Sequence, residues 1–117
     1  MNKEDLKKWT KVFAHNCVKL ASELPGKGLG GHIQYQLFKC STSVAANYRA
    51  TCVAQSKKSF IAKLSIVIEE ADESNFWIEF IIDEKLIKNE NLLPLLKESE
   101  ELTAIFMASR KTACGSV

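Results

Sequence analysis

Apolar residues recur every three or four positions in four successive stretches of this chain, and no window alternates with period two for long enough to make a strand. That spacing places the apolar side chains on one stripe of a helix. Leu6, Trp9, Phe13, Cys17, Leu20 and Leu24 mark the first stripe. Leu24-Pro25-Gly26 closes it, because proline cannot continue a helix and glycine tolerates left-handed backbone. Leu29, Ile33, Leu37, Cys40, Val44 and Tyr48 mark the second. Ser56 is the expected N-cap of the third, which carries Phe60, Leu64, Val67, Ala71 and Ile78. The fourth starts near Pro94, suited to a first turn, and carries Leu95, Leu102, Ile105 and Phe106. The spacing predicts helices over about 3–24, 29–50, 56–83 and 92–113. Short connections make neighbours antiparallel, so the expected fold is all-α, an up-and-down bundle of four helices. The 117 residues suffice for one such domain and one core.

The third helix carries more apolar surface than a monomer needs. At about 100° per residue, Phe76, Trp77, Ile78, Phe80, Ile81 and Ile82 cover roughly two-thirds of its circumference, where a core-facing stripe needs little more than about 100°. Two arrangements would cover the excess: a central third helix wrapped by the other three, or a second copy of the chain. The latter makes Phe76, Trp77, Phe80 and Ile81 the candidate oligomer interface. Asn47 falls near the Cys40–Val44 seam, where a buried amide would set helix register. Ser41, Ser43, Ala45 and Ala46 around it would admit a neighbouring helix closely.

Charge is unevenly placed behind a formal net of +2. Residues 1–63 are strongly basic and residues 64–117 strongly acidic, which suggests complementary faces. Lys7, Lys8 and Lys11 lie on the first helix, while Arg49, Lys57 and Lys58 surround the second connection. Lysines in a helix's first turn oppose its dipole unless an anion is near. Free N–H groups flanked by cations suit a phosphate. These six are the candidate anion or nucleic-acid contacts. The competing expectation is that they pair with acids of the third and fourth helices. No aromatic platform alternates with them, which weakens a base-stacking reading.

Other chemistry finds little support. GKGLGG at Gly26–Gly31 fits a dinucleotide pattern in letters only, since a helix precedes it and no acid occurs between Glu23 and Glu69. It is expected to be a flexible connection. Glu69, Glu70, Asp72 and Glu73 lack the Glu-x-x-His partners of a di-metal bundle. Cys17 and His15 point about 200° apart on a helix and form no nucleophile–base pair. No catalytic residue, metal site or cofactor is expected, and the chain is not expected to be an enzyme. The four cysteines include no CxxC pair. No apolar run approaches a membrane span, and MNKEDLKKW is too charged for a signal peptide, so a cytoplasmic address with reduced thiols is expected.

SVAANYRA, QSKKSFIAKLSI, EEADESNFWIEF and ELTAIFMASRKTA together resemble the bacterial four-helix bundle family of 23S rRNA intervening-sequence proteins, over nearly the whole chain. Ala45, Ala50 and Thr51 stand where the common family sequence has Pro, Glu and Gly, so no role of that Glu transfers. The resemblance implies a ring-shaped homopentamer. It also implies kinship with the accessory proteins of diversity-generating retroelements, which bind nucleic acid and a reverse transcriptase. RNA or DNA, and a reverse-transcriptase-like protein, are therefore expected partners beside the chain itself. The family brings no established activity. Its name reflects genes located in rRNA insertions, and a ribosomal role does not follow from it. The alternative is a protein-interaction scaffold whose charges are used between subunits.

Overall fold

The computed structural model describes residues 1–115, and all the regular structure among them is helical: α1 (Lys3–Ala21), α2 (Gly28–Cys52), α3 (Lys57–Asp83) and α4 (Leu92–Gly115). α2 packs on α1 and α3, and α4 packs on α3 and, over a smaller area, on α1. α1 and α3 are therefore diagonal across an antiparallel bundle about 47 Å long and 22 Å wide. The arrangement that would make α3 a central helix wrapped by three others is absent.

Each helix end has a local cause. Asn2 caps α1 through a reciprocal pair: its side chain accepts from the Asp5 N–H at 2.9 Å, and Asp5 accepts from the Asn2 N–H at 3.2 Å. α1 ends at Ala21, short of the expected 24. Ser22 bonds back to the Val18 carbonyl, and Leu24 then tucks into the core outside the helix. α2 runs two residues beyond expectation because Tyr48 and Thr51 are buried and the Thr51 hydroxyl donates to the Asn47 carbonyl at 2.8 Å. Ser56 caps α3 as expected, accepting from the Ser59 N–H at 3.0 Å. α3 closes with Lys85 in the left-handed region (φ 52°), while the Leu86 N–H reaches the Ile81 carbonyl at 3.2 Å. That is a Schellman ending, with lysine where glycine would cost less.

The glycine-rich stretch is not a flexible connection. α2 begins inside it, and Gly28 takes a positive φ of 63° to turn the chain into the helix. A Cβ on Gly31 would lie 2.8 Å from the Gly26 carbonyl carbon, so the incoming backbone passes too close for any side chain. GKGLGG is a tight packing device between α1 and α2.

The core is one cluster, with Phe13, Ile33, Leu37, Leu64, Ile78, Ile81, Leu102 and Phe106 fully enclosed. Tyr48 and Phe106, both toward the C-terminal ends of their helices, hold their rings 5.2 Å apart. A layer of small polar side chains crosses the bundle at mid-height. Buried Cys17, Cys40, Ser41, Ser74 and Ser99 contribute from all four helices. The Ser74 hydroxyl lies 3.3 Å from the Cys40 sulfur, and the Asn75 amide donates to the Ser99 hydroxyl at 2.9 Å. No buried side-chain polar atom among the described residues is without a partner. Ser41, Ser74 and Ser99 also donate to carbonyls of their own helices, so the bonds of this layer that depend on register are Ser74 to Cys40 and Asn75 to Ser99, each contributing about 0.5–1.5 kcal/mol.

Asn47 does not do that work. It is half-buried, and its amide donates to the Ser43 carbonyl of its own helix at 2.9 Å. The amides that bond across helices are Asn75, to Ser99 of α4, and Gln34 of α2, which donates to the Ala21 carbonyl of α1 at 2.9 Å.

Gly31→Ala should lower stability by about 1–3 kcal/mol, as overpacking against backbone does. Gly26→Ala, whose Cβ would meet nothing within 4 Å, should be tolerated. Urea unfolding midpoints of the two variants check the contrast.

Candidate nucleic-acid interface

Antiparallel packing brings the start of α1, the end of α2, the start of α3 and the end of α4 to one pole of the rod. Within about three turns of that pole lie Lys3, Lys7, Lys8, Lys11, Arg49, Lys57, Lys58, Lys63, Arg110 and Lys111. Glu4 and Asp5 are the acids there. The charge imbalance seen along the chain thus becomes a basic pole, rather than a basic face.

Four of the six candidate contacts gather in one groove. Lys7, Lys8 and Lys11 from α1 and Arg49 from α2 line a cleft of roughly 790 Å³, together with Ala14, His15, Val18, Thr42, Ala45 and Ala46. Spacing explains the gathering. On α1 the lining recurs at 7, 8, 11, 14, 15 and 18, and on α2 at 42, 45, 46 and 49, each one face of a helix. The cleft exists because no floor residue is larger than valine. His15 and Thr42 were not expected to take part, although the same three-and-four spacing from Lys11 and Arg49 points to them.

Lys57 and Lys58 share the pole but sit at the α3 N-terminus, outside the groove. There the Ser56 side chain already accepts one of the helix's free N–H groups. Lys7 pairs with Glu4 of its own helix at 2.9 Å. Among the described residues Lys8, Lys11, Arg49 and Lys58 form no ion pair, so the expected pairing with acids of α3 and α4 does not occur within the chain at these positions. Exposed, unpaired cations around an open cleft present a positive field to any anion that enters.

The candidate oligomer interface divides. Phe76, Trp77 and Phe80 form one aromatic cluster on α3, with ring centroids 4.9 to 6.1 Å apart, and His32 of α2 meets Trp77 edge-on at 5.5 Å. Phe76 is 50% exposed and the other two are half-buried. Ile81 does not belong to this surface: it is fully enclosed in the chain's own core. The core phase set by Leu64, Val67, Ala71 and Ile78 carries Ile81 inward and Phe76 outward.

The remaining polar features are structural. A smaller cleft of about 350 Å³ lies between the end of α1 and the α3–α4 connection, lined by Asn16, Glu23, Asn89 and Glu98 among others. Both of its carboxylates have partners within the chain: Asn89 donates to Glu23 at 2.7 Å, and the Trp9 indole donates to Glu98 at 2.7 Å. Among the described residues, no three His, Cys, Asp or Glu side chains converge as metal ligands. Among the described residues no helix is long and apolar enough to cross a membrane.

Fold and groove together define an all-helical antiparallel bundle with a cationic cleft at one pole. The chain belongs to the family of 23S rRNA-intervening sequence proteins, whose sequence model matches residues 4–108. It is similar to a protein of unknown function from the S23 ribosomal protein family of Bacteroides thetaiotaomicron, seen in a crystal structure. The two are 28% identical, with a TM-score of 0.83 over 95% of this chain and 99% of that one. Comparison with curated proteins finds no match.

The thiols divide by burial. Desolvation pushes Cys40 up to about 11, offset in part by the Ser74 hydroxyl, and raises Cys17 further still. Both therefore stay protonated at neutral pH, and a protonated thiol is a poor nucleophile. Exposed Cys114 should react with a thiol reagent in the native protein, whereas Cys17 and Cys40 should react only as fast as the bundle unfolds. Mass spectrometry of partly modified protein distinguishes the sites.

Proposed function

We propose that this chain is a self-associating four-helix bundle that binds nucleic acid, RNA foremost, through phosphate contacts in the α1–α2 groove. It acts as a binding protein rather than a catalyst. The observation that carries this reading is the unpaired state of Lys8, Lys11 and Arg49 around an open cleft. Holding several like charges together without acids is unfavourable in the free chain, and a polyanion removes that cost. The groove floor holds alanine, valine and threonine but no aromatic ring. Apart from the His15 imidazole it offers no ring on which a base can stack, which favours backbone reading largely blind to sequence. Self-association is supported by the half-exposed Phe76 and its aromatic neighbours, an apolar patch on an otherwise polar helix face.

Binding of labelled single-stranded RNA and DNA, measured between about 50 and 200 mM salt, tests the nucleic-acid half. Four groove cations predict a slope of log affinity on log salt near −3, at about −0.7 per contact. Lys8→Glu with Lys11→Glu should flatten that slope by about half and weaken binding alike for every sequence. Binding that is absent at low salt, insensitive to salt or unchanged in the double variant contradicts the proposal.

A further inference from the structure

The α1–α2 groove has two unlike halves, and phosphate contact accounts for only one of them. Lys7, Lys8, Lys11 and Arg49 line the half nearest the basic pole. The half that runs away from the pole, between residues 14–18 of α1 and 42–46 of α2, has no lysine or arginine in its lining. Ala14 is buried there, and Val18 and Ala45 are half-buried. Thr42 commits its hydroxyl proton to the Phe38 carbonyl of its own helix at 2.7 Å. His15 is exposed and supplies the one ring, and no acid lines either half. A nucleic-acid backbone carries charge along its whole length, so an uncharged aliphatic half gives it nothing to hold.

Size and composition match a site for a small molecule. The cleft's roughly 790 Å³ falls within the roughly 300–1,000 Å³ of such sites, which are mostly apolar with a few convergent charged groups. From Lys11 to Val18 the uncharged half spans seven residue steps, or about 10 Å of helix. That is the length of roughly eight bonds of an extended alkyl chain. The aliphatic stems of Lys8, Lys11 and Arg49 continue the apolar lining up to the point where their charges begin.

We infer that the α1–α2 groove binds an amphipathic organic anion, a free medium-chain acyl carboxylate, with its chain along Ala14, Val18, Ala45 and Ala46 and its head between Lys8, Lys11 and Arg49. Chain and head each answer a feature that the other leaves unused. An inorganic anion would leave the aliphatic half in water, and an uncharged hydrocarbon would leave the cations without a counter-charge. A flat bilayer surface does not reach a floor sunk between two helices. Fewer than two turns of uncharged floor make a short seat for a partner's helix, whereas one alkyl chain fills it. The inference rests on the two halves of the groove and not on RNA binding. It adds a consequence for regulation: carboxylate and phosphate use the same cations, so an acyl anion displaces nucleic acid from the groove.

Isothermal titration with monomeric carboxylates of six, eight and ten carbons tests it. A methylene half-covered in an open groove tightens binding about twofold, so decanoate should bind on the order of tenfold more tightly than hexanoate. Decyltrimethylammonium, with the same chain and the opposite charge, should not bind measurably. Val18→Gln with Ala46→Gln lays amides along the floor and leaves every cation in place; this variant should lose decanoate and keep RNA. Lys8→Glu with Lys11→Glu should lose both. Circular dichroism checks that each variant is folded, and Ala46→Gln alone, at an exposed position, replaces the floor pair if that one is misfolded. Decanoate that binds no better than hexanoate, or that binds the folded floor variant as tightly as the unmodified protein, overturns the inference. Attachment to anionic phosphatidylglycerol vesicles without affinity for monomeric decanoate overturns it too. RNA binding alongside any of those results leaves the nucleic-acid reading standing alone. Decanoate binding with the expected dependence on chain, charge and floor, in a protein that binds no RNA, leaves the inference standing alone.

Discussion

Antiparallel packing is the constraint on which everything else depends. Four helices joined by connections of four to eight residues must reverse direction at each turn, and two ends of opposite polarity alternate around each pole. Cations near the start of α1, the end of α2, the start of α3 and the end of α4 are distant in sequence. Packing makes them neighbours. The N-terminal dipole ends of α1 and α3 lie at this pole beside the C-terminal ends of α2 and α4, so the helix dipoles largely cancel there and the positive potential comes from the side chains. Most of the pole's charges face water and counter-ions, which keeps their mutual repulsion small, and the core beneath it is predominantly apolar.

The polar layer at mid-height holds that arrangement in place. Apolar stripes alone would allow helices to slip by a turn with little loss, since one leucine packs much like another. Ser74 against Cys40 and Asn75 against Ser99 would not survive such a slip. Register in turn decides which side chains share a level. Lys8 and Lys11 meet Ala45 and Arg49 only because α1 and α2 are locked, with Gly31 pressed against the Gly26 backbone at the other end. The groove is thus a product of the loop and the layer as much as of the residues that line it.

Much of this was legible in the residues. The helix count, the Ser56 cap, the antiparallel order and the family followed from spacing and from blocks such as EEADESNFWIEF. The misses have physical reasons. Asn47 and Asn75 are both amides near apolar stripes, and only the rotation of each helix decides which one looks across at a neighbour. Ile81 lies in a run where nearly every residue is apolar, so hydrophobicity carries no phase there; the phase comes from Leu64, Val67 and Ala71, two turns and more away. Counting charge by halves of the chain found the imbalance but hid its shape, because poles are a property of packing. His15 was weighed only as a partner for Cys17, and its place in the groove carried no signal, since a lone histidine on an exposed helix face means little until the opposite wall is known.

The central claim is that packing gathers unpaired cations at one pole of the free protein. Thermal unfolding with inorganic polyphosphate at low salt reads this directly, because a ligand that binds only the folded state raises its melting temperature. The account predicts a rise on the order of 5 °C near saturation, lost at high salt and lost in the protein carrying Lys8→Glu and Lys11→Glu. A melting temperature indifferent to polyphosphate at low salt, or a rise of equal size in that variant, would contradict it.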